Sequence, residues 1–369
     1  MQKRTIAGTE VSLLGFGAMR FPTKDNEIDM RKSAEMIDYC MASGVNYYDT
    51  AYPYHDGKSE EALSALLSGY DRKSYLLADK FPPWLLNDPT DIPQIFATQL
   101  KRLNTDYIDF YLLHSMERGN LDVLAKMKVY EHFYYLKQEG IIKHLGFSFH
   151  DEPHVLSKII SDYDFDFAQI QMNYLDWSYM QSEQMYNILE NAGIPIIVME
   201  PVRGGFLADP SPSVVKRIKA HNITPAALAL KWCAQYEGVK CILSGMSDIG
   251  QVLENVALFT NYKPITETEN ALALEAAALI NDIKTIPCTA CGYCMKCPFG
   301  VDIPALFKIY NHYMAVKDSF RTGLTYKNYF DSKKKPENCT ACGVCIPRCP
   351  QHIDIPKSLV TAGDTLNAL

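Results

Sequence analysis

YIDFYLLH (107–114) is followed by VLAKMKVYEHFYYLKQEG (123–140) and then by IKHLGFS (142–148). The outer stretches are apolar at consecutive positions, without the alternation of a strand that has one wet face. They predict strands buried on both sides. The middle stretch has helical spacing and closes on Gly140, where a left-handed cap is wanted. Strand, helix, strand in that order describes two parallel strands joined by a crossover.

The same unit recurs in both directions. LLGFGAM (13–19), VNYYDT (45–50), SYLLADK (74–80), FDFAQIQ (165–171), IPIIVME (194–200) and VKCILSG (239–245) bring the strands to eight. Helical patterns such as SAEMIDYCMASG and PAALALKWCAQYEG lie between them, and Gly44 and Gly193 close two more helical runs. Eight such units within about 250 residues predict an α/β chain of the (β/α)8 TIM barrel type. An open doubly wound sheet fits less well, because no G-x-G-x-x-G follows the first strand. KRTIAGTEVSL alternates around a glycine and predicts a hairpin capping the barrel floor. TETENALALEAAALINDIK predicts a long helix packed on the barrel. The expected organisation is a barrel over 1–265, a connecting helix over 266–284, and a small, mainly helical domain over 285–369.

The 369 residues are 47% hydrophobic and 21% charged, which is ordinary for a globular protein. A net charge of -7 gives no general attraction to nucleic acid or to an anionic membrane. MQKRTIAGTEVSLLG lacks the apolar core of a signal peptide, and no apolar run approaches the length of a membrane span. The basic run Lys333, Lys334, Lys335 reads as a solvated loop. Of eleven cysteines, eight follow residue 287, while Cys40, Cys233 and Cys241 are scattered in apolar contexts as small core residues. That distribution fits a reducing cytoplasm better than a disulfide framework.

Functional residues of a parallel barrel sit where strands end. Here those positions hold Asp49, Lys80, His114, Ser148, Gln169 or Gln171, Glu200 and Ser244, with Tyr54 five residues after Asp49. Singly, each has an ordinary structural explanation. Together they form a proton-handling set. A tyrosine hydroxyl is a poor acid at neutral pH unless a cation favours the phenolate. A lysine supplies that cation, an aspartate holds the lysine, and a histidine hydrogen-bonds a carbonyl oxygen.

These segments resemble the aldo/keto reductase family. DTAYPYHDGKSEEAL, LADKF and YIDFYLLH are similar to the family segments that carry its catalytic tetrad, which the resemblance assigns to Asp49, Tyr54, Lys80 and His114. GFSFH and AQIQMNY imply that Ser148 and Gln169 bind the nicotinamide carboxamide, with Phe149 where an asparagine is usual. Met199 stands where an aromatic ring normally stacks on nicotinamide. In SGMSDIGQVLEN, after Ser244, Glu254 and Asn255 resemble an adenine-binding pair. Gln251 replaces the arginine that grips a ribose 2′-phosphate. An amide cannot provide that charged, bidentate grip, so NAD(H) stands level with NADP(H). Arg203, beside Gly204 and Gly205, is a candidate for the pyrophosphate.

The tail carries Cys288, Cys291, Cys294 and Cys297-Pro298, then Cys339, Cys342, Cys345 and Cys349-Pro350. The second run has the C-x2-C-x2-C-x3-C-P spacing of bacterial ferredoxins, in which the fourth cysteine ligates the other cluster. The expected assignment is Cys288, Cys291, Cys294 and Cys349 on one [4Fe–4S] cluster, with Cys339, Cys342, Cys345 and Cys297 on a second. A structural zinc needs only two C-x2-C pairs, and two tandem runs exceed that. CTACG occurs in both runs, and VDIP (301–304) parallels IDIP (353–356), each predicting a helix start with aspartate as N-cap.

The expected function is that of a cytoplasmic oxidoreductase interconverting small carbonyl and alcohol substrates by hydride transfer, accompanied by a two-cluster module open to a redox partner protein. Nicotinamide gives up a hydride, whereas a cluster accepts one electron. In a first alternative the clusters therefore feed a flavin or the substrate, and the tetrad only moves protons. In a second, the chain is a non-enzymatic redox or iron sensor.

Overall fold

The structure, a computed structural model, describes residues 1–330 and 334–369. Lys333 of the basic run lies outside the described residues. The chain opens on the antiparallel hairpin β1 (Lys3–Ile6) and β2 (Thr9–Ser12). It continues through β3 (Leu14–Gly17), a short ribbon of β4 (Thr23–Lys24) and β5 (Glu27–Ile28), β6 (Tyr47–Asp49), β7 (Leu76–Phe81) and β8 (Ile108–Met116). The remaining strands are β9 (Ile142–Phe149), β10 (Phe167–Gln171), β11 (Ile196–Met199) and β12 (Val239–Ser244). β3, β6–β9 and β10–β12 close into an eight-stranded parallel barrel in the order β10-β11-β12-β3-β6-β7-β8-β9. All eight expected strands are present.

The first hairpin covers the end of the barrel where the strands begin. Ile6 and Val11 pack into a buried cluster with Tyr47, Ala78, Phe110, Phe167, Ile197 and Cys241. The Arg4 guanidinium donates to the carbonyls of Ala234 (2.6 Å), Tyr236 (2.9 Å) and Val239. The crossover predicted as one helix over 123–140 is two, Arg118–Lys126 and Val129–Gln138, with Lys128 in the left-handed region (φ 55°) at the break. Gly44, Gly140 and Gly193 have positive φ, as the predicted caps require. Cys40, Cys233 and Cys241 are buried, and burial raises their thiol pKa values.

The chain divides into two compact units, residues 1–201 with 230–265, and residues 202–229 with 266–369. The first holds the barrel. The second takes in the segment after β11 as well as everything beyond 265. Its helix Pro212–Lys219 pairs with helix Glu267–Asn281, where Arg217 Nε reaches Glu275 at 3.0 Å. Thr266 and Glu269 form a capping box at the start of the latter helix. The rest of this unit consists of helices Ile303–Val316, Ser319–Tyr329 and Ile355–Asn367 around a core of Leu306, Phe307, Tyr310, Leu359 and Leu366. Asp302 and Asp354 are the predicted N-caps, accepting from Ala305 N at 3.3 Å and Lys357 N at 3.2 Å. No helix among the described residues is long and apolar enough to cross a membrane.

Candidate functional site

Asp49 ends β6, Lys80 lies in β7 and His114 in β8, while Tyr54 opens a 3-10 turn, Tyr54–Gly57, in the loop after β6. The barrel closure brings the four together. Lys80 Nζ lies 2.6 Å from Asp49 Oδ1 and donates to the carbonyl of Thr50 at 2.8 Å. The same ammonium stands 5.0 Å from the centre of the Tyr54 ring, and the Tyr54 and His114 ring centres are 6.3 Å apart, edge to face. All four side chains are buried.

Burial raises the Asp49 pKa, and the Lys80 charge and hydrogen bond oppose that rise. Burial first, then Lys80 and His150, holds His114 well below the usual histidine value. His114 is therefore neutral at neutral pH, with an N–H to give and no positive charge to lose. Behind the tetrad, Thr50 Oγ1 donates to Ser59 Oγ at 2.9 Å, and Arg102 pairs with the fully buried Glu60 at 2.7 Å. The Ser-Glu part of the SEEAL segment thus anchors the loop that presents Tyr54.

The expected nicotinamide contacts fall into two groups. Ser148, Gln169 and Met199 lie on β9, β10 and β11. Ser148 Oγ accepts from Ser115 N at 2.8 Å, and Gln169 Nε2 reaches Met199 Sδ at 3.6 Å. Among the described residues the buried carbonyl Oε1 of Gln169 has no hydrogen-bond partner. A carboxamide N–H beside it would supply one, so these residues fit a nicotinamide. Ser244 accepts from the Asn255 amide at 3.0 Å. Gln251 is occupied in the loop turn, accepting from Ser247 N at 2.8 Å and donating its own backbone N–H to Asp248 at 3.0 Å. Glu254 lies in the same helix, Ile249–Thr260. Arg203, Gly204 and Gly205 belong instead to the second unit, where the Gly204 backbone lies directly against that of Thr289 in the first cysteine run.

The eight cysteines line two cavities. One is walled by Cys288, Cys291, Cys294 and Cys349 together with Phe307, Ile353 and Ile355. The other is walled by Cys297, Cys339, Cys342 and Cys345, and Cys294 reaches it as well. Ile303 and Arg348 line both. Among the described residues no three His, Cys, Asp or Glu side chains converge closely enough to hold a single metal ion. Burial raises the Cys294 thiol pKa, and Cys291, Cys288 and Cys349 add to the rise. Burial also raises that of Cys345, with Cys339, Cys297 and Cys342 adding. Each set is thus three cysteines of one run and the fourth of the other. The repeated CTACG has a repeated backbone: Ala290 and Ala341 at φ 53° and 55°, Gly292 and Gly343 at φ 82° and 76°.

Two neighbours escape a reading by residue type. Trp84, in the loop after β7, puts its ring centre 5.0 Å from that of His114 while half exposed. A large aromatic in FPPWLL just beyond Lys80 was the available signal. Arg348, between the third and fourth cysteines of its run, gave none, because its facing both cavities depends on the fold.

Residues 13–275 match the aldo/keto reductase family model, and residues 287–353 match a 4Fe-4S dicluster domain. The chain is 26% identical over 305 residues to the uncharacterized oxidoreductase YqkF of Bacillus subtilis (strain 168), covering 73% of this chain and 94% of that one. It is 30% identical over 234 residues to methylglyoxal reductase YeaE of Escherichia coli (strain K12), covering 58% and 74%. The holo form of aldo-keto reductase AKR11C1 from Bacillus halodurans aligns with a TM-score of 0.63 at 27% identity, covering 75% of this chain and 96% of that one. An aldo-keto reductase from Klebsiella pneumoniae in complex with NADPH shares the fold, with a TM-score of 0.60 at 23% identity over 74% and 94% of the two chains. With the match covering residues 13–275, more than half of its length, the chain belongs to the aldo/keto reductase family of oxidoreductases, extended by a 4Fe-4S dicluster domain.

Proposed function

We propose that the barrel interconverts a small carbonyl compound and its alcohol, with Tyr54 as the proton donor. The observation that carries this is the Lys80 ammonium, held by Asp49 at 2.6 Å and placed 5.0 Å from the Tyr54 ring. A fixed cation beside a phenol favours the phenolate, so the proton leaves the hydroxyl as charge builds on the substrate oxygen. Neutral His114 donates a hydrogen bond to that oxygen and orients it. A bound nicotinamide supplies the hydride, and Ser148 and Gln169 hold its carboxamide. The NADPH of the Klebsiella relative supports this cofactor class. Gln251 removes the charged grip on a 2′-phosphate and leaves NAD(H) equally served.

The test is Tyr54→Phe. NAD(P)H-dependent reduction of small aldehydes should fall by at least about 100-fold in kcat, in line with loss of a general acid, while nicotinamide binding persists. Undiminished turnover would overturn the assignment.

The two cysteine-lined cavities favour an accompanying reading, in which the second unit holds two [4Fe–4S] clusters and exchanges single electrons. The donor set fits: at least four thiols line each cavity, and although burial raises the Cys349 pKa, the amides of Ile353, Gln351 and His352 oppose that rise. If anaerobic protein contains bound flavin as well as iron and sulfide, the clusters feed that flavin and the tetrad serves as a proton source alone.

A further inference from the structure

The two cysteine cavities have unlike surroundings. The one walled by Cys288, Cys291, Cys294 and Cys349 is lined by buried Ile303, Phe307, Ile353 and Ile355, and the Gly204 turn presses on its Thr289. The one walled by Cys297, Cys339, Cys342 and Cys345 has the more exposed lining. Cys342 is exposed, the only one of the eight that is, and Phe299 and Val344 line the cavity while 44% and 40% exposed. Ile346, 42% exposed, adjoins Gly343 on the same rim. Exposed Lys296 and Arg348 also line it, and its described lining residues include no carboxylate and no histidine.

The charge of the chain is split in the same sense. Residues 285–369 carry 10 Lys and Arg against 6 Asp and Glu, whereas residues 1–284 carry 26 against 37. An overall acidic protein thus presents a cationic module, with an apolar, cation-flanked opening over one thiol set. An apolar centre with a charged rim is how transient protein partners meet and orient.

We propose that this rim is the docking face for a small acidic ferredoxin-type electron carrier. The inference rests on cluster occupancy of the second unit. It assigns the Cys297, Cys339, Cys342 and Cys345 set as the electron port and the Cys288 set as the inner one. The carrier loses one electron and the module gains one; no bond or proton changes hands. The lack of a carboxylate or histidine among the described lining residues suits a carrier that exchanges a bare electron.

The experiment uses the full chain with its clusters reconstituted anaerobically, mixed in a stopped-flow cell with reduced plant-type [2Fe–2S] ferredoxin as the probe. Steered association should slow by about tenfold or more between low and physiological ionic strength. Lys296→Glu should slow the low-salt rate by about tenfold with unchanged iron and sulfide content. Val344→Glu is the second variant, should the first disturb assembly, and should act in the same direction. A salt-independent rate, or one untouched by both substitutions, overturns the proposal. Low-salt self-association abolished by Lys296→Glu also overturns it, assigning the face to the acidic barrel of a second copy. Loss of Tyr54-dependent carbonyl reduction alone would overturn the barrel's assigned chemistry and leave this face standing.

Discussion

The backbone of Gly204 runs against the backbone of Thr289 so closely that a Cβ on Gly204 would lie 2.1 Å from the Thr289 oxygen. Gly204 also has φ +62°, where side chains are strained, so two independent constraints demand glycine there. Gly204→Ala should destabilise the second unit by about 2–4 kcal/mol, the sum of a left-handed penalty and an overpacked contact. Gly205→Ala, at φ +92° with no described atom within 4 Å of its Cβ, should lose only about 1 kcal/mol. Chemical denaturation of both variants measures the difference, and equal losses would show that the contact carries no energy.

Lys80 and Asp49 are buried together, which makes each dependent on the other. Lys80→Met leaves an uncompensated carboxylate and should destabilise the fold by about 3–5 kcal/mol. Combining it with Asp49→Leu should restore part of that stability without restoring turnover. Urea titration and a carbonyl reduction assay on the same preparations separate the two effects.

The tetrad histidine gives the fold a pH dependence of known sign. Folded His114 is held well below 6.5 and stays neutral, whereas in the unfolded chain it binds a proton as pH falls past about 6.5. The unfolded state then binds more protons, so this residue lowers stability as pH drops through that window and contributes nothing above it. The slope is about 1.4 kcal/mol per pH unit. His114→Gln should flatten the stability profile between about pH 6.5 and pH 5. An unchanged profile would mean that His114 titrates alike in both states.

Cys297 and Cys349 exchange runs. If two clusters are bound as proposed, Cys297→Ser should perturb the one held by Cys339, Cys342 and Cys345 and spare the one held by Cys288, Cys291 and Cys294. Cys349→Ser should do the reverse. Electron paramagnetic resonance of the reduced variants, compared with Cys342→Ser and Cys291→Ser, checks the pairing. If Cys297→Ser matched Cys291→Ser, each run would complete its own cluster.

Arg4 is a stability residue outside both sites. Its guanidinium serves three backbone carbonyls at the covered end of the barrel. Arg4→Ala strands those acceptors and should lower stability by about 2–4 kcal/mol, read by thermal or chemical denaturation. Arg4→Lys should recover only part, because one ammonium cannot match the planar fork.

Much of the barrel was legible because its strands are apolar on both faces and its helices close on glycine. Both are local signals, set by burial and by backbone sterics. Lys128 was not legible, since nothing in its chemistry announces the left-handed break that precedes helix Val129–Gln138. Asp49, Lys80 and His114 stood out because strand ends in a parallel barrel converge whatever the intervening sequence, while their joining with the loop residue Tyr54 as a tetrad came from the family resemblance.

Periodicity and spacing are properties of a chain, so the barrel and the two ligand-like cysteine runs could be read before any fold was known. The tetrad, by contrast, was named through the family resemblance of DTAYPYHDGKSEEAL, LADKF and YIDFYLLH. Tertiary structure alone decided that Gly204 faces Thr289, that Arg348 lines both cavities, and that Cys342 is exposed while Cys294 is buried. Those are distances between residues remote in sequence, or burial that remote residues create. The RGG turn marks the boundary. Its glycines were visible from the start, but what they make room for depended on which backbone the fold brought against them.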